Sequence, residues 1–302
     1  MRKKEDTYEN KSLIFKEEDL KNLKEIGRGT DGIVYKPKNS KNELYKIYYN
    51  KVENKNKPTI LEAVDSNGVR IHNPEHKFTT VAKQKKYQTK YIDQEGVKIY
   101  GIGAVEKAIE RQENIKRTQL QKRPIYIDGH FHGTVLYHHK RQMPFYLLKS
   151  FPRKTQTRVL KELLQSEEEL LDNYIYHIDL GLQPRTNYKT ANVLLSCFGL
   201  HPNIIDIDGK SAIYTEGYNE NLYYQSLGSY KTLVAQILFD IDLLKLEEED
   251  LEFKKEFLQQ QYPNQDIETI ISHTDVTPNQ LYQFLASMEN ATPEKPKRYT
   301  KH

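Results

Sequence analysis

Three groups of residues in this 302-residue chain have the types and spacing to do chemistry. The first is Gly27-Arg28-Gly29-Thr30-Asp31-Gly32-Ile33-Val34-Tyr35, a G-x-G-x-x-G-x-V pattern. Glycines in a hairpin let the backbone approach phosphate oxygens where side chains would clash. Three glycines also make an ordinary turn, and the pattern alone does not choose between the two. A dinucleotide-binding reading is disfavoured, because strand-forming residues follow the motif and no helix opens on it. The second is Lys46 in Leu44-Tyr45-Lys46-Ile47-Tyr48, 14 positions beyond Gly32. A lysine facing inward from a half-buried strand needs an anion, which a nucleotide phosphate under the glycine hairpin would supply. The alternative is a stem that packs while the ammonium reaches water. The third group is spread over Tyr176-His177-Ile178-Asp179-Leu180, Asn192-Val193-Leu194-Leu195 and Ile204-Ile205-Asp206-Ile207-Asp208-Gly209. Taken singly, each acidic residue here reads as a cap or a turn.

Taken in order, these stretches resemble the protein-kinase superfamily: a glycine-rich hairpin, a strand lysine, an H-x-D-L loop, an N-V-L-L strand and an aspartate after two apolar residues. The resemblance covers roughly residues 23–245. It implies an α+β, bilobal protein-kinase-like fold, with an N-lobe antiparallel β-sheet carrying one helix and a mainly α-helical C-lobe. It also implies ATP and Mg as cofactors, bound in the cleft between the lobes. On this resemblance Gly27, Gly29, Gly32 and Val34 cover the nucleotide and Lys46 meets its phosphates. Asp179 matches the catalytic aspartate that orients or deprotonates the attacking hydroxyl. Asn192 and Asp206 match the magnesium ligands, with Asp208, followed by Gly209, as the rival to Asp206. A helix glutamate should pair with Lys46; Glu106, Glu110 and Glu113 are available, and Glu110 or Glu113 is preferred for its distance from the next strand. His177 is expected to support the loop by hydrogen bonding. The implied reaction is transfer of the γ-phosphoryl group to a Ser or Thr hydroxyl of a protein substrate.

The sequence departs from that pattern in four places. Asp179 and Asn192 are 13 residues apart, against five in the family, which leaves Asn187 as an alternative ligand. Gly181 stands where a lysine is usual, so positive charge on the transferring phosphoryl group would have to come from Arg185 or Lys189. There is no Ala-Pro-Glu motif between Gly209 and Tyr230, and the helix expected from Tyr230 lacks the aspartate that usually anchors the loop. Two further readings follow: a pseudokinase that binds without turnover, and a small-molecule kinase of the sugar or antibiotic type.

The elements that must position these residues are legible in outline. Leu23 to Tyr49 reads as three short antiparallel strands. Ala104 to Leu120 reads as a helix, followed by a hairpin of Ile125-Tyr126-Ile127 and Thr134-Val135-Leu136-Tyr137. Helical patterns then cover Arg158 to Tyr176, Tyr230 to Leu246, Glu248 to Gln260 and Pro278 to Met288, around a β-rich stretch at 192–214. The expected organisation is an extension at 1–20, an N-lobe at 21–148 with an insertion at about 50–103, a C-lobe at 149–290 and a disordered basic tail at 291–302. A hairpin is expected within the insertion at Asp65 to Val69, and no internal repeat is evident.

Composition narrows the classes. The chain carries 46 Lys+Arg against 42 Asp+Glu, a formal charge of +4, too small over this length to argue for nucleic acid as a partner. The locally basic runs Lys51 to Lys57 and Lys83 to Lys90 read as solvated loops. The best apolar run, Leu233 to Leu244, is broken by Gln236, Asp240 and Asp242, so no membrane span is expected. No apolar run follows the basic residues Arg2, Lys3 and Lys4, so no secretory signal is expected either. The single cysteine, Cys197, excludes an internal disulfide and a cysteine-based metal cluster and fits a cytoplasmic location. It is expected as a small buried hydrophobe.

Overall fold

Tyr45 and Ile47 alternate with Lys46 along one strand, so that one face of the strand must be covered by apolar neighbours. The computed structural model describes residues 13–20, 22–28, 32–38, 40–48, 90–93, 96–99, 101–127, 130–181, 192–205, 207, 212–243 and 246–294. Over these the chain is mixed α+β and divides into two compact units. The first comprises Met1–Lys140, Asn173–Ile175 and Ile207–Asn219; the second comprises Arg141–Asp172, Tyr176–Asp206 and Glu220–His302.

The first unit is built on a six-stranded sheet in the order β1 (Leu13–Phe15), β7 (Arg123–Ile127), β8 (His130–Tyr137), β4 (Glu43–Tyr48), β3 (Gly32–Lys36), β2 (Lys24–Arg28). Five of these strands are antiparallel neighbours, and β1 joins β7 in parallel at the edge. A short helix, α1 (Glu17–Leu20), follows β1. Tyr45, Ile47, Ile125, Ile127 and Val135 form the buried core of one sheet face, with Phe15, Leu20, Leu23 and Tyr35 packed at its margin. The three strands expected between Leu23 and Tyr49 and the hairpin after them are all present. In the insertion, β5 (Lys90–Asp93) and β6 (Gly96–Ile99) make a hairpin to which β13 (Ala212–Thr215) adds an antiparallel strand. The hairpin expected at Asp65 to Val69 lies outside the described residues.

The helix expected over Ala104 to Leu120 is instead α2 (Gly101–Arg111), followed by a 3-10 turn at Gln112–Asn114. Ile115 and Leu120 are buried without being helical. The Gln112 side chain explains this: its Nε2 donates to the carbonyls of Ile115 (2.9 Å) and Thr118 (3.1 Å), and its Oε1 accepts from Leu120 N (2.6 Å). One amide side chain therefore satisfies backbone groups that a longer helix would have paired.

The second unit is mainly helical: α3 (Arg153–Asp172), α4 (Glu220–Phe239), α5 (Glu248–Gln261) and α6 (Pro278–Met288), with α3 packed on α4 and α6. Thr277 and Gln280 form a capping box ahead of Pro278, which fixes the start of α6 where the sequence places it. α3 ends at Asp172, short of the expected Tyr176, because Tyr174 takes a left-handed conformation (φ 55°) and the chain enters β10 (Ile175–His177). α4 begins ten residues before the expected Tyr230, since burial of Leu222, Ser226 and Leu227 stabilises a segment of modest helix propensity. It ends at Phe239, where Asp240 turns left-handed (φ 59°). A small sheet, β12 (Pro202–Ile204), β11 (Val193–Ser196) and β9 (Gln142–Pro144), completes the unit, which is why residues 141–148 belong with the second unit and not the first. Cys197 is exposed, contrary to expectation, because it opens the turn from β11 to β12, in which Gly199 (φ 73°) and Leu200 (φ 55°) are both left-handed. Among the described residues no helix is long and apolar enough to cross a membrane.

Candidate active site

In the first unit the glycine pattern lies on β2 and β3, where Gly27 faces Val34 across the ladder and the register shifts between Glu25 and Gly27. Gly29 lies outside the described residues. The glycines that are described serve different ends. A Cβ on Gly32 would collide with the Ile47 carbonyl, so close approach of β4 alone requires glycine there. A Cβ on Gly27 would meet nothing within 4 Å, so packing does not explain that glycine. Val34 in turn faces Lys46 across the β3–β4 ladder.

Lys46 is 8% exposed and sits on an interior strand, opposite Thr134 of β8. Alternation puts its side chain on the sheet face away from the Tyr45 and Ile47 core. Its ammonium lies 6.0 Å from the Tyr48 ring centroid. The helix glutamates do not match it. Glu106, Glu110 and Glu113 are all exposed, and Glu110 pairs with Lys107 (2.8 Å), which holds its carboxyl below the usual range. The face of α2 turned inward carries Val105, Ala108 and Arg111, with Arg111 donating to the carbonyls of Tyr174 (3.2 Å) and Thr215 (2.6 Å). The preference for Glu110 or Glu113 is therefore corrected: helical phase turns Glu110 to solvent, and Glu113 lies beyond α2 in the 3-10 turn, also exposed.

In the second unit the loop after β10 carries Asp179, half-buried, with Leu180 fully buried behind it. Asn192 lies against it despite the 13-residue separation: Nδ2 donates to the Asp179 carbonyl (2.8 Å) and reaches Asp179 Oδ2 (3.3 Å). The Asn192 carbonyl accepts from Ile205 N (2.8 Å), and His177 Nε2 donates to the Ile205 carbonyl (3.1 Å). His177 is fully buried, in keeping with a supporting role. Antiparallel pairing of Val193 with Ile204 brings these residues together, so the β11–β12 hairpin sets the position of the chain immediately before Asp206. Asp206, Asp208, Arg185, Lys189 and Asn187 lie outside the described residues.

Three residues that the sequence did not single out support this loop. Ser229 Oγ accepts from Leu180 N (2.6 Å), and Ser226 Oγ meets both the His177 carbonyl (3.2 Å) and Glu167 Oε1. Glu167 is fully buried, and burial pushes its carboxyl up to about 8 against the Ser226 hydroxyl and the His177 backbone N–H, which pull it down. A signal for it exists in retrospect: Leu160, Leu163, Leu164, Glu167, Leu170 and Leu171 share one helical phase, so Glu167 falls on the apolar stripe. The two serines, spaced i and i+3, carry no such mark. Elsewhere on α4, buried Lys231 donates to Ser272 Oγ (3.0 Å) and the Thr274 carbonyl (2.8 Å), and burial lowers its ammonium to about 8.

A hard cation would find a suitable donor in Asn192 Oδ1, because the side-chain amide nitrogen is already committed to Asp179. Among the described residues there is no cluster of three or more His, Cys, Asp or Glu that could hold a metal. What the arrangement can do is present one carboxylate, Asp179, with its loop held by main-chain and side-chain bonds on both flanks. No protein-family model matches the chain, and no curated protein sequence matches it.

Proposed function

We propose that this chain is a phosphotransferase of protein-kinase type, with a bilobal kinase-like fold, that uses ATP and magnesium to phosphorylate a Ser or Thr hydroxyl of a protein substrate. The observation that carries the reading is the bond from Asn192 to Asp179, 13 positions apart, closed through Ile205 by His177 and Asn192 together. A local turn or cap would not require Asn192 to bond Asp179 through its side chain while its own main chain and the His177 ring both hold Ile205. Asp179 would orient the acceptor hydroxyl and take its proton; Asn192, with Asp206 or Asp208, would hold magnesium; Lys46 and the backbone at Gly27 would meet phosphate. Magnesium-ATP would supply the transferable phosphoryl group, and catalysis would come mostly from positioning and charge stabilisation.

A second reading, a pseudokinase that binds nucleotide without turnover, is favoured by one observation: no glutamate of α2 turns inward toward the sheet. The two are separated by incubating purified protein with γ-labelled ATP and magnesium, alone and with cell extract, beside Asp179→Asn and Asp206→Ala. Label on protein that both variants lose supports the kinase. Thermal stabilisation by ATP without transfer supports the pseudokinase. Label only in low-mass products points to a small-molecule acceptor.

A further inference from the structure

The His177–Leu180 loop is held from behind by α4, and the bonding there poses a problem of proton counting. Ser226 has one hydroxyl proton. The His177 carbonyl can only accept, so that proton is required at the 3.2 Å contact between Ser226 Oγ and the His177 oxygen. The contact between Ser226 Oγ and Glu167 Oε1 then needs a second proton, which only the carboxyl group can supply. The surroundings agree. Glu167 is wholly buried, and its other oxygen, Oε2, has no hydrogen-bond partner among the described residues. An ionised carboxylate so placed would lose its hydration with one oxygen uncompensated. The titratable groups around it are His177 from β10, Tyr230 from α4, which donates to the Leu160 carbonyl (2.7 Å), and Glu168 on its own helix, which Tyr282 of α6 engages (2.7 Å); β12 contributes none. No lysine or arginine among the described residues bonds to Glu167.

We propose that Glu167, as the neutral carboxylic acid, donates to Ser226, which donates to the His177 carbonyl, and that this relay together with Ser229 clamps the loop and positions Asp179. The aspartate that usually anchors the loop is missing from α4; Ser226 and Ser229 occupy that helix with neutral groups, and Glu167 reaches Ser226 from α3. Glu167, Ser226 and Ser229 are positioning residues. The consequence for turnover rests on the phosphotransfer reading; the clamp does not.

The test is amide hydrogen exchange at Leu180, corrected for the intrinsic rate, on the full chain between pH 6 and 9. Ser229→Ala, which removes the acceptor of the Leu180 N–H, should raise exchange about tenfold, the worth of one hydrogen bond. Wild-type protection should fall as pH rises through about 8, whereas Glu167→Gln, which still donates to Ser226, should keep its protection across the range. Glu167→Leu should lose it at every pH; if that variant does not fold, Gln and Ser229→Ala still decide. Unchanged exchange in Ser229→Ala, or a Gln variant that tracks the wild-type pH profile, overturns the clamp. In the activity arm, Ser229→Ala should lower kcat with KM for ATP within about twofold, the signature of a positioning role. If the wild type transfers no phosphate to any acceptor, the phosphotransfer reading fails while the exchange data still judge the clamp.

Discussion

The candidate residues of the two units are held in different ways. Lys46, Gly27, Gly32 and Val34 sit on strands of one sheet, and backbone register places each opposite a defined neighbour. Asp179 sits on a loop whose backbone is fixed by side chains from Asn192, Ser226 and Ser229, up to 49 residues away in sequence. Register is a collective property of many ladder bonds and tolerates the loss of one side chain. A loop held by a few side-chain bonds does not.

The largest expected effect tests the loop. Asp179→Asn should lower phosphotransfer by about a thousandfold, within the range for loss of a positioned general base, with thermal stability close to wild type. Next comes a contrast within the strands. Gly32→Ala should cost about 2 kcal/mol in denaturant unfolding, because the obstruction is the Ile47 backbone, while Gly27→Ala should leave stability unchanged. Reduced ATP affinity in Gly27→Ala alone would then assign that glycine to the nucleotide; an unfolded Gly27→Ala would refute the distinction.

A smaller effect sharpens the electrostatics of the second unit. The Glu167 carboxyl is raised in the fold to about 8 from 4.5, so folding takes up a proton between those values. Stability should therefore be greatest below the unfolded value and fall as pH rises through the window, by up to about 1.4 kcal/mol per pH unit. Glu167→Gln should flatten that slope, read from urea midpoints at pH 5, 6, 7 and 8. The smallest effect belongs to α2 and the 3-10 turn after it: Glu110→Gln and Glu113→Gln should shift Tm by less than about 1 °C and leave ATP affinity unchanged, as expected for exposed side chains. A large loss of affinity in either would restore it as the partner of Lys46.

Much of this arrangement was legible without coordinates. Tyr45, Ile47, Ile125, Ile127 and Val135 alternate along their strands, and that local pattern sufficed for the five antiparallel strands of the sheet but not for β1, which lies in the stretch expected as an extension. α5 and α6 begin where an acidic first turn and a Thr277–Gln280 capping box mark them. The errors arose where burial and helicity part company. Ile115 and Leu120 continue the helical spacing of α2 but are buried in a segment held by Gln112, and residues 220–229 are helical although little in their composition favours it. Cys197 was misjudged for a related reason: its type suggests an interior, but the turn it opens lies at the surface.

Local spacing and residue type determined which groups are available for chemistry: a lysine within an apolar strand, glycines flanking a hairpin, and an ordered series of histidine, aspartate and asparagine. Those follow from alternation and turn preference, which act over a few neighbouring residues. Only the folded chain decided that Asn192 bridges thirteen positions to Asp179, that Glu110 faces water, and that Glu167 lies buried against Ser226. Each of these depends on which segments pack together, and no short-range preference encodes the burial that makes one glutamate an ordinary surface charge and another a neutral acid.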